Sequence, residues 1–224
     1  MKIYLSASTQ ENNATANNTT EEALMHQLRN KVYKLLKANT TGLTIYRNTD
    51  KSMTLAEIVA HSNSKSPKYH FSFHSNAGGG SGCECWYWHT STKGKAAAKI
   101  WNNWLKKLDL GSRGIFATSG LYELRKTTAY TALMEHFFHD KLSDVEYYLD
   151  NINKYALYDA KAICEICGVD YNESDDDEYS YLSDLKIVSP SYYEVWDKHF
   201  KANTNLNWDG LLYNWKVASK EGKI

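Results

Sequence analysis

Residues 69–88 read YHFSFHSNAGGGSGCECWYW and indicate more about the fold than any other part of the chain. The first part of this stretch, residues 69–75, alternates between aromatic and polar side chains, and this period of two predicts a β-strand. The glycine-rich segment at residues 78–82 predicts a flexible loop, and residues 83–88 predict a further strand. The first of these strands ends in His74 and its polar neighbours, so polar chemistry is expected at the edge of a sheet.

Strands and helices alternate on both sides of this stretch. Strands are predicted at residues 2–6, 43–47, 69–75, 83–88, 121–125 and 129–137. Helices are predicted at residues 21–38, 54–61, 92–108, 142–150 and 152–168, the first of them capped by Thr19 or Thr20. The alternation predicts an α/β fold with a twisted, mostly parallel six-stranded sheet and helices on both faces. Ligands of such sheets bind beyond the carboxyl ends of the strands, so functional residues are expected there.

The composition of the chain changes near residue 171. Residues 1–170 are predicted to form the main domain. Residues 171–189 begin with the acidic run YNESDDDEYSY and predict a linker. Residues 190–224 carry aromatic side chains at helical spacing and predict a small C-terminal helical segment. Its aromatic stripes are interpreted as sites for sugar stacking, self-association or docking on the main domain, and the helical spacing favours packing or self-association.

Charge and hydropathy exclude several classes of function. The 26 Lys and Arg residues balance 26 Asp and Glu residues, so the basic excess of a nucleic-acid-binding protein is missing. No apolar run approaches the ~20 residues of a membrane span. The N-terminus, MKIYLSASTQ, is expected to be a strand rather than a signal peptide. The cysteine pairs Cys83, Cys85 and Cys164, Cys167 are interpreted as free thiols in the core rather than as a metal clamp.

Three side chains at the ends of elements carry the chemistry. His74 ends the third strand, Glu21 begins the first helix, and Glu135 lies near the end of the last strand. Imidazole and carboxylate are usual ligands of catalytic zinc, and a further carboxylate can act as the base on a bound water. Each also has a structural interpretation. These are a helix N-terminal acid for Glu21, a core histidine for His74, and an ion pair with Arg125 for Glu135.

Four segments resemble, in order, the zinc-dependent N-acetylmuramoyl-L-alanine amidases common among phage endolysins and bacterial autolysins. They are KIYLSAS, TEEALMHQL, YHFSFHSNAGGGSGCECWYW and SRGIFATSGLYELRKTTAYTALMEHFFHD, and together they cover roughly residues 1–168. The most specific pieces are His-Ser-Asn-Ala before the glycine loop and Leu-Met-Glu-x-x-Phe-His-Asp near the end of the domain.

The resemblance implies a zinc site and a peptidoglycan substrate. His74 and Glu21 match zinc ligands of the family, and Glu135 matches its catalytic glutamate. Arg125 and Arg113 lie at positions where family members often carry arginine. The residues expected to contact the substrate are Arg125, Arg113 and Asn76.

One ligand of the family pattern is missing. The family places a Gly-His-Gly just after its first strand, and that histidine is the third zinc ligand. Residues 8–12 read Ser-Thr-Gln-Glu-Asn here. Gln10 lies nearest to the expected position and is interpreted as the third ligand through its amide oxygen. The alternatives are Glu11, Asn12, His26, His139, or a degenerate site that binds zinc poorly.

The resemblance implies a peptidoglycan hydrolase that cleaves the amide bond between N-acetylmuramic acid and L-alanine with zinc-activated water. Without a signal peptide, the chain is expected to be a phage endolysin made in the cytoplasm, which acts at the cell wall after release through a holin. Residues 190–224 then bind the wall or mediate self-association. Two other classes stay open: a degenerate, non-catalytic peptidoglycan-binding protein, which the missing histidine favours and Glu135 opposes, and a zinc peptidase acting on wall peptides.

Overall fold

A computed structural model describes residues 1–48 and 53–172, which belong to one compact unit. Its strands are β1 (Lys2–Ala7), β2 (Thr44–Arg47), β3 (Tyr69–Asn76), β4 (Cys83–Trp88), β5 (Ser112–Thr118) and β6 (Tyr130–Phe138). Its helices are α1 (Glu21–Asn39), α2 (Leu55–Lys65), α3 (Thr92–Leu105), α4 (Tyr122–Lys126) and α5 (Leu142–Cys167). The predicted helical tail and nearly all of the predicted linker lie outside the described residues, so those domain boundaries stay predictions.

The strands form one sheet in the order β2-β1-β3-β6-β4-β5. Every neighbouring pair is parallel except β4 with β6, which is antiparallel. The predicted mostly parallel, six-stranded α/β sheet is confirmed. In this register, Ala7 pairs with Phe73 and His74 pairs with Glu135. The carboxyl ends of β1, β3 and β6 therefore lie side by side.

One face of the sheet packs against α1, α3 and α5 to form the main core. Phe71 and Phe73 of β3 contact the ring of buried Trp101 edge-on, at centroid distances of 5.5 and 5.2 Å. Phe73 also stacks on His136 of β6 at 5.4 Å. Buried rings of this size dominate the energetics of a core, so this face anchors the sheet. The four cysteines are free and buried, as predicted.

The opposite face carries α2 and the short helix α4. Tyr4 of β1 stacks on His70 at 5.1 Å, and its hydroxyl is 2.9 Å from Nδ1 of His61 on α2. His70, Ser72 and His74 follow at every second position of β3, so all three face this side. Helices thus cover both faces, as predicted. None of the described helices is both long and apolar enough to cross a membrane.

Residues 121–125, predicted as a strand, instead contain most of helix α4. Its last turn closes where the Thr127 N–H donates to the carbonyl of Glu123 at 3.1 Å. Five residues are too few for periodicity to separate a helix from a strand. One of the two edge strands, β5, was not predicted from the sequence, because Gly114, at φ 110°, interrupts its strand pattern.

The helices predicted at residues 142–150 and 152–168 are the single helix α5. Asn151, read as a break, keeps helical backbone, and its amide donates to the carbonyl of Tyr147 at 2.8 Å. Tertiary packing overrides the weak local preference of asparagine for helix ends.

Candidate active site

The candidate site lies where β3 and β6 end and α1 begins. The Thr20 hydroxyl caps α1 by accepting from the N–H of Ala23 at 3.2 Å, so Glu21 is the first helical residue. Glu21 is 1% exposed. Its Oε1 lies 3.0 Å from Nδ1 of His74 and accepts from the N–H of Ser75 at 3.2 Å. The predicted pair of zinc ligands is therefore brought together.

His74 is held between two carboxylates. Its Nδ1 faces Glu21, and its Nε2 lies 3.0 Å from Oε2 of Glu123 on α4. Burial opposes a charge on the imidazole, but the hydrogen bonds with these two carboxylates and their charges raise the pKa of His74 well above its ordinary value. Burial also opposes ionisation of Glu21, yet His74 and then Asn13 hold the pKa of this carboxyl below its ordinary value. Opposite charges thus stabilise one another at the end of β3.

Glu135 lies beside His74 in the sheet register, with Glu84 of β4 opposite it on the other side. Its Oε2 is buried and has no hydrogen-bond partner among the described residues. Burial is the largest of the causes that raise the pKa of Glu135 from 4.5 to about 7. The charge of His74 acts against this rise, and the charges of Glu21, Glu84 and Glu123 add to it. A carboxyl with a pKa near neutrality can accept and return a proton.

Glu84 joins two of the residues predicted to contact substrate. Its Oε1 accepts from Nδ2 of Asn76 at 2.7 Å, and its Oε2 accepts from Nε of Arg113 at 2.7 Å. The Arg113 side chain is 47% exposed, and its guanidinium lies 5.2 Å from the centre of the Phe138 ring. Glu84 therefore links Asn76 and Arg113, and it lies opposite Glu135 in the sheet register. The sequence did not single out this carboxylate.

Arg125 lies apart from this cluster. It is exposed on α4, and its guanidinium is 5.9 Å from the centre of the Tyr122 ring. The ion pair with Glu135, the structural alternative considered for that carboxylate, is not formed. Contact of Arg125 with substrate stays a prediction.

Gln10 reaches the cluster through one intermediary. Its side chain is exposed, and its Oε1 accepts from Nδ2 of Asn13 at 2.7 Å. The same Asn13 amide donates to Oε2 of Glu21 at 2.9 Å. The role of Gln10 as the third ligand stays a prediction. Glu11 and Asn12 are also exposed, in an open hollow that Gln10 helps to line.

The two histidines considered as alternatives differ in position. Nδ1 of His139 is 3.9 Å from Oε2 of Glu21 and 2.9 Å from the hydroxyl of Ser75. Nδ1 of His26 instead lies 3.0 Å from Nη2 of Arg29. Within residues 1–48 and 53–172, no group of three or more His, Cys, Asp or Glu side chains has the spacing of a metal site. Glu11, His26 and His139 as third ligands therefore stay predictions, as Gln10 does.

Two observations nevertheless fit the zinc ion that the resemblance implies. Nδ1 of His74 and Oε1 of Glu21 lie 3.0 Å apart. Two atoms bound to one tetrahedral zinc at ~2.1 Å lie roughly 3.4 Å from each other, so the two side chains need to separate by only a few tenths of an ångström to share one ion. Beside them, the buried Oε2 of Glu135 lacks a partner. Imidazole and carboxylate donors next to an unsatisfied carboxylate match the chemistry of a catalytic zinc site.

Glu84 and Glu123 are site residues that sequence reasoning missed. Glu123 was hidden because its segment was interpreted as a strand. A signal for it exists in β3, where His70, Ser72 and His74 place three polar side chains on one face of a buried strand. Buried polar groups need hydrogen-bond partners, so such a stripe predicts a polar residue that covers it.

The fold and this cluster define an α/β protein with a buried histidine and several carboxylates at the carboxyl edge of its sheet. The chain belongs to the N-acetylmuramoyl-L-alanine amidase family, whose model, Amidase_3, matches residues 7–165. It is therefore an enzyme of the amidase class that the sequence resembled.

Solved structures support the same fold. An N-acetylmuramoyl-L-alanine amidase from Clostridium difficile 630 is similar, with a TM-score of 0.69 and 16% identity over 75% of this chain and 96% of that one. The catalytic domain of CwlV, an amidase from Bacillus (Paenibacillus) polymyxa var. colistinus, has a TM-score of 0.68 and 20% identity over 76% and 100%. The catalytic domain of the CD27L endolysin targeting Clostridia difficile has a TM-score of 0.61 and 19% identity over 78% and 99%. A search of curated protein sequences gave no match.

Proposed function

We propose that this amidase hydrolyses the bond between N-acetylmuramic acid and L-alanine in peptidoglycan with a zinc-activated water. Membership of the amidase family supports the bond that is cleaved. The meeting of His74 with Glu21 supports metal binding. The observation that carries the proposal is Glu135, whose buried, unpartnered oxygen lies beside that pair.

Each side chain of the site has a separate role in this proposed reaction. Bound zinc would lower the pKa of a water to ~7 and polarise the amide carbonyl. His74 and Glu21 would hold the ion. Glu135 accepts the proton of the attacking water and returns it to the leaving amine of L-alanine, since its pKa of about 7 gives access to both protonation states. Asn76 and Arg113 contact the substrate beside Glu135, a role supported by their shared bonds to Glu84.

The products test the reaction. Cleavage by the zinc-loaded protein should expose new N-terminal alanine on purified peptidoglycan, measured by amine labelling and mass spectrometry. Glu135→Gln should lower the rate roughly 100- to 10,000-fold, the usual range for loss of a general base, while the zinc content stays unchanged. The control is Glu146→Gln, which changes an exposed glutamate of α5 and should leave the rate intact.

Other results of this assay would indicate a different class of protein. New N-termini of other residues would indicate a zinc peptidase. Binding to the wall without any product would indicate a degenerate binding protein. Full activity after a chelator has removed the metal would contradict zinc activation.

We also propose that the protein is a phage endolysin, made in the cytoplasm and released to the wall through a holin pore. The fold shared with the CD27L endolysin catalytic domain supports this role, although bacterial amidases share the fold as well. In a sensitive bacterium that expresses the chain, turbidity should fall only after chloroform permeabilises the membrane. Lysis before permeabilisation would contradict release through a holin.

A further inference from the structure

Helix α4 brings one carboxylate, Glu123, onto the polar face of the sheet. Glu123 is 2% exposed. Its oxygens accept four hydrogen bonds, from Ser6 Oγ (2.6 Å), Ser72 Oγ (2.7 Å), His70 Nε2 (3.1 Å) and His74 Nε2 (3.0 Å). A carboxylate offers about four lone-pair sites, so all of them are used. A buried carboxylate held from four directions cannot rotate without breaking these bonds.

The network around Glu123 is braced on the side away from the active site. The second ring nitrogen of His70, Nδ1, lies 2.9 Å from the hydroxyl of Ser62 on α2. The His70 ring also stacks on Tyr4, with centroids 5.1 Å apart and an interplanar angle of 13°. Helix α2 and strand β1 thus fix His70, and His70 helps to fix Glu123.

The two ring nitrogens of His74 have different partners as a result. Nε2 meets Glu123, and because a carboxylate only accepts, this nitrogen must carry a proton. Nδ1 points the other way, to Glu21, which is the proposed metal side of the ring. By the same argument Nδ1 carries a proton when it meets the Glu21 carboxylate directly, and a metal bound there would take the place of that proton. Histidines that bind metals usually donate their second N–H to a carboxylate or carbonyl in this manner.

We propose that Glu123 is the positioning residue of the metal site, which holds the His74 ring with its proton on Nε2 and its Nδ1 directed at the metal. This inference rests on the proposed function, because it needs zinc to bind at His74 and Glu21. Loss of such a partner typically weakens metal binding 10- to 100-fold. Glu123 acts through His74 and does not itself touch the metal or the substrate.

The test is the zinc dissociation constant of the full-length protein, measured by competition with a chelator. Glu123→Gln keeps the shape of the side chain but removes its charge and turns an N–H₂ group toward one of the two imidazoles. The dissociation constant should rise at least about 10-fold. Thermal unfolding of the metal-free proteins shows whether the variant is folded. If it is not, Glu123→Asp, which withdraws the carboxylate by one methylene, gives the same comparison.

A second buried histidine–carboxylate pair provides a matched control. Nε2 of His136 lies 3.2 Å from Oδ2 of Asp159, and both side chains are fully buried on the core face. His136 meets His74 at its backbone carbonyl rather than at its ring. Asp159→Asn should therefore lower stability and leave the zinc dissociation constant within about threefold of the wild-type value, below the effect of a lost metal-site partner.

The outcomes separate this inference from the proposed function. If the wild type binds zinc and the Glu123 variants bind it equally well, the inference is overturned and the proposed function stands. An equal loss in Asp159→Asn would also overturn it, because general destabilisation would then explain the effect. If the wild type binds zinc without releasing alanine, the proposed reaction falls and the role of Glu123 is decided by zinc affinity alone. If the wild type binds no zinc, both fall.

Discussion

At the scale of single residues, the surroundings of Glu135 suit its proposed role in proton transfer and also lower the stability of the folded protein. The charges of Glu21, Glu84 and Glu123 act on its buried carboxyl, and its Oε2 lacks a partner among the described residues. These surroundings bring its pKa to about 7, which suits a proton-transfer group. They also disfavour the ionised form of Glu135 in the folded protein, since an unpaired buried charge raises the free energy of the folded state.

Glu135→Gln should therefore stabilise the metal-free protein in a pH-dependent way. The pKa of Glu135 in the folded protein, about 7, lies above its ordinary value of 4.5. The wild type therefore keeps its full stability below pH 4.5 and loses the contribution of Glu135 as the pH rises through 7. The free energy of unfolding of the variant should gain on that of the wild type between these pH values by up to about 3 kcal/mol.

Urea unfolding at pH 4.5 and pH 8, with a chelator present, measures the difference. Glu146→Gln, an exposed change on α5, is the control, because water solvates its side chain in the folded and unfolded chains alike. A difference between wild type and Glu135→Gln that is the same at both pH values would refute the assigned cause.

At the scale of elements, the loop between β3 and β4 is fastened by two aspartates. Asp140 accepts from the N–H groups of Gly78 and Gly79 at 2.7 and 2.9 Å. Asp144, at the start of α5, accepts from the hydroxyl of Ser81 at 2.7 Å and from the N–H of Gly82 at 3.1 Å. The loop follows directly after the predicted substrate residue Asn76. Its anchoring therefore bears on the shape of the site as well as on stability.

These two anchors should differ sharply in strength. Asp144 is 1% exposed, so Asp144→Ala leaves buried N–H groups without partners and should cost ~2–4 kcal/mol of the free energy of unfolding. Asp140 is exposed, and water can replace its carboxylate, so Asp140→Ala should cost less than ~1 kcal/mol. Urea unfolding of the two variants side by side gives the comparison. Equal losses would mean that burial does not decide the strength of these bonds.

Gly80 makes the same loop intolerant of side chains. A Cβ at this position would lie 2.3 Å from Cζ of Phe138, closer than any real contact. The Phe138 ring in turn lies under the guanidinium of Arg113. The Phe138 ring therefore leaves no room for a side chain at position 80. This steric reason for glycine is separate from backbone conformation.

At the scale of the whole molecule, residues 1–172 contain the family match and a core of their own. The end of this unit is tied down, because the N–H of Asn172 donates to the carbonyl of Asn39 at 2.8 Å. A chain that ends at residue 172 should therefore unfold in one cooperative transition and cleave soluble muramyl peptides at the rate of the full chain.

The same truncation tests the predicted role of residues 190–224. We expect static light scattering to show larger particles for the full chain than for the shorter one, because aromatic stripes at helical spacing favour association. Equal masses together with weaker sedimentation of the shorter chain with insoluble walls would instead assign the tail to wall binding. Failure of the shorter chain to fold would contradict an independent amidase unit.

Patterns of neighbouring residues predicted much of this molecule. The period of two in β3, the cap at Thr20 and the alternation of strands with helices led to the α/β sheet and to His74, Glu21 and Glu135, because backbone geometry relates each pattern to one element. Two of these three side chains, His74 and Glu21, are in direct contact, and Glu135 lies beside them in the sheet register.

Local sequence patterns did not predict those short elements whose residues show no clear hydrophobic period. Helix α4 and strand β5 were missed for this reason, and with them Glu123, whose four hydrogen bonds come from residues between 49 and 117 positions away in the sequence. Local sequence patterns were thus enough to predict the kind of sheet and to single out His74, Glu21 and Glu135 as candidate site residues. Which carboxylate faces which ring nitrogen became visible in the folded protein alone, because contacts between residues far apart in the chain depend on how the elements pack and produce no periodic pattern in the sequence.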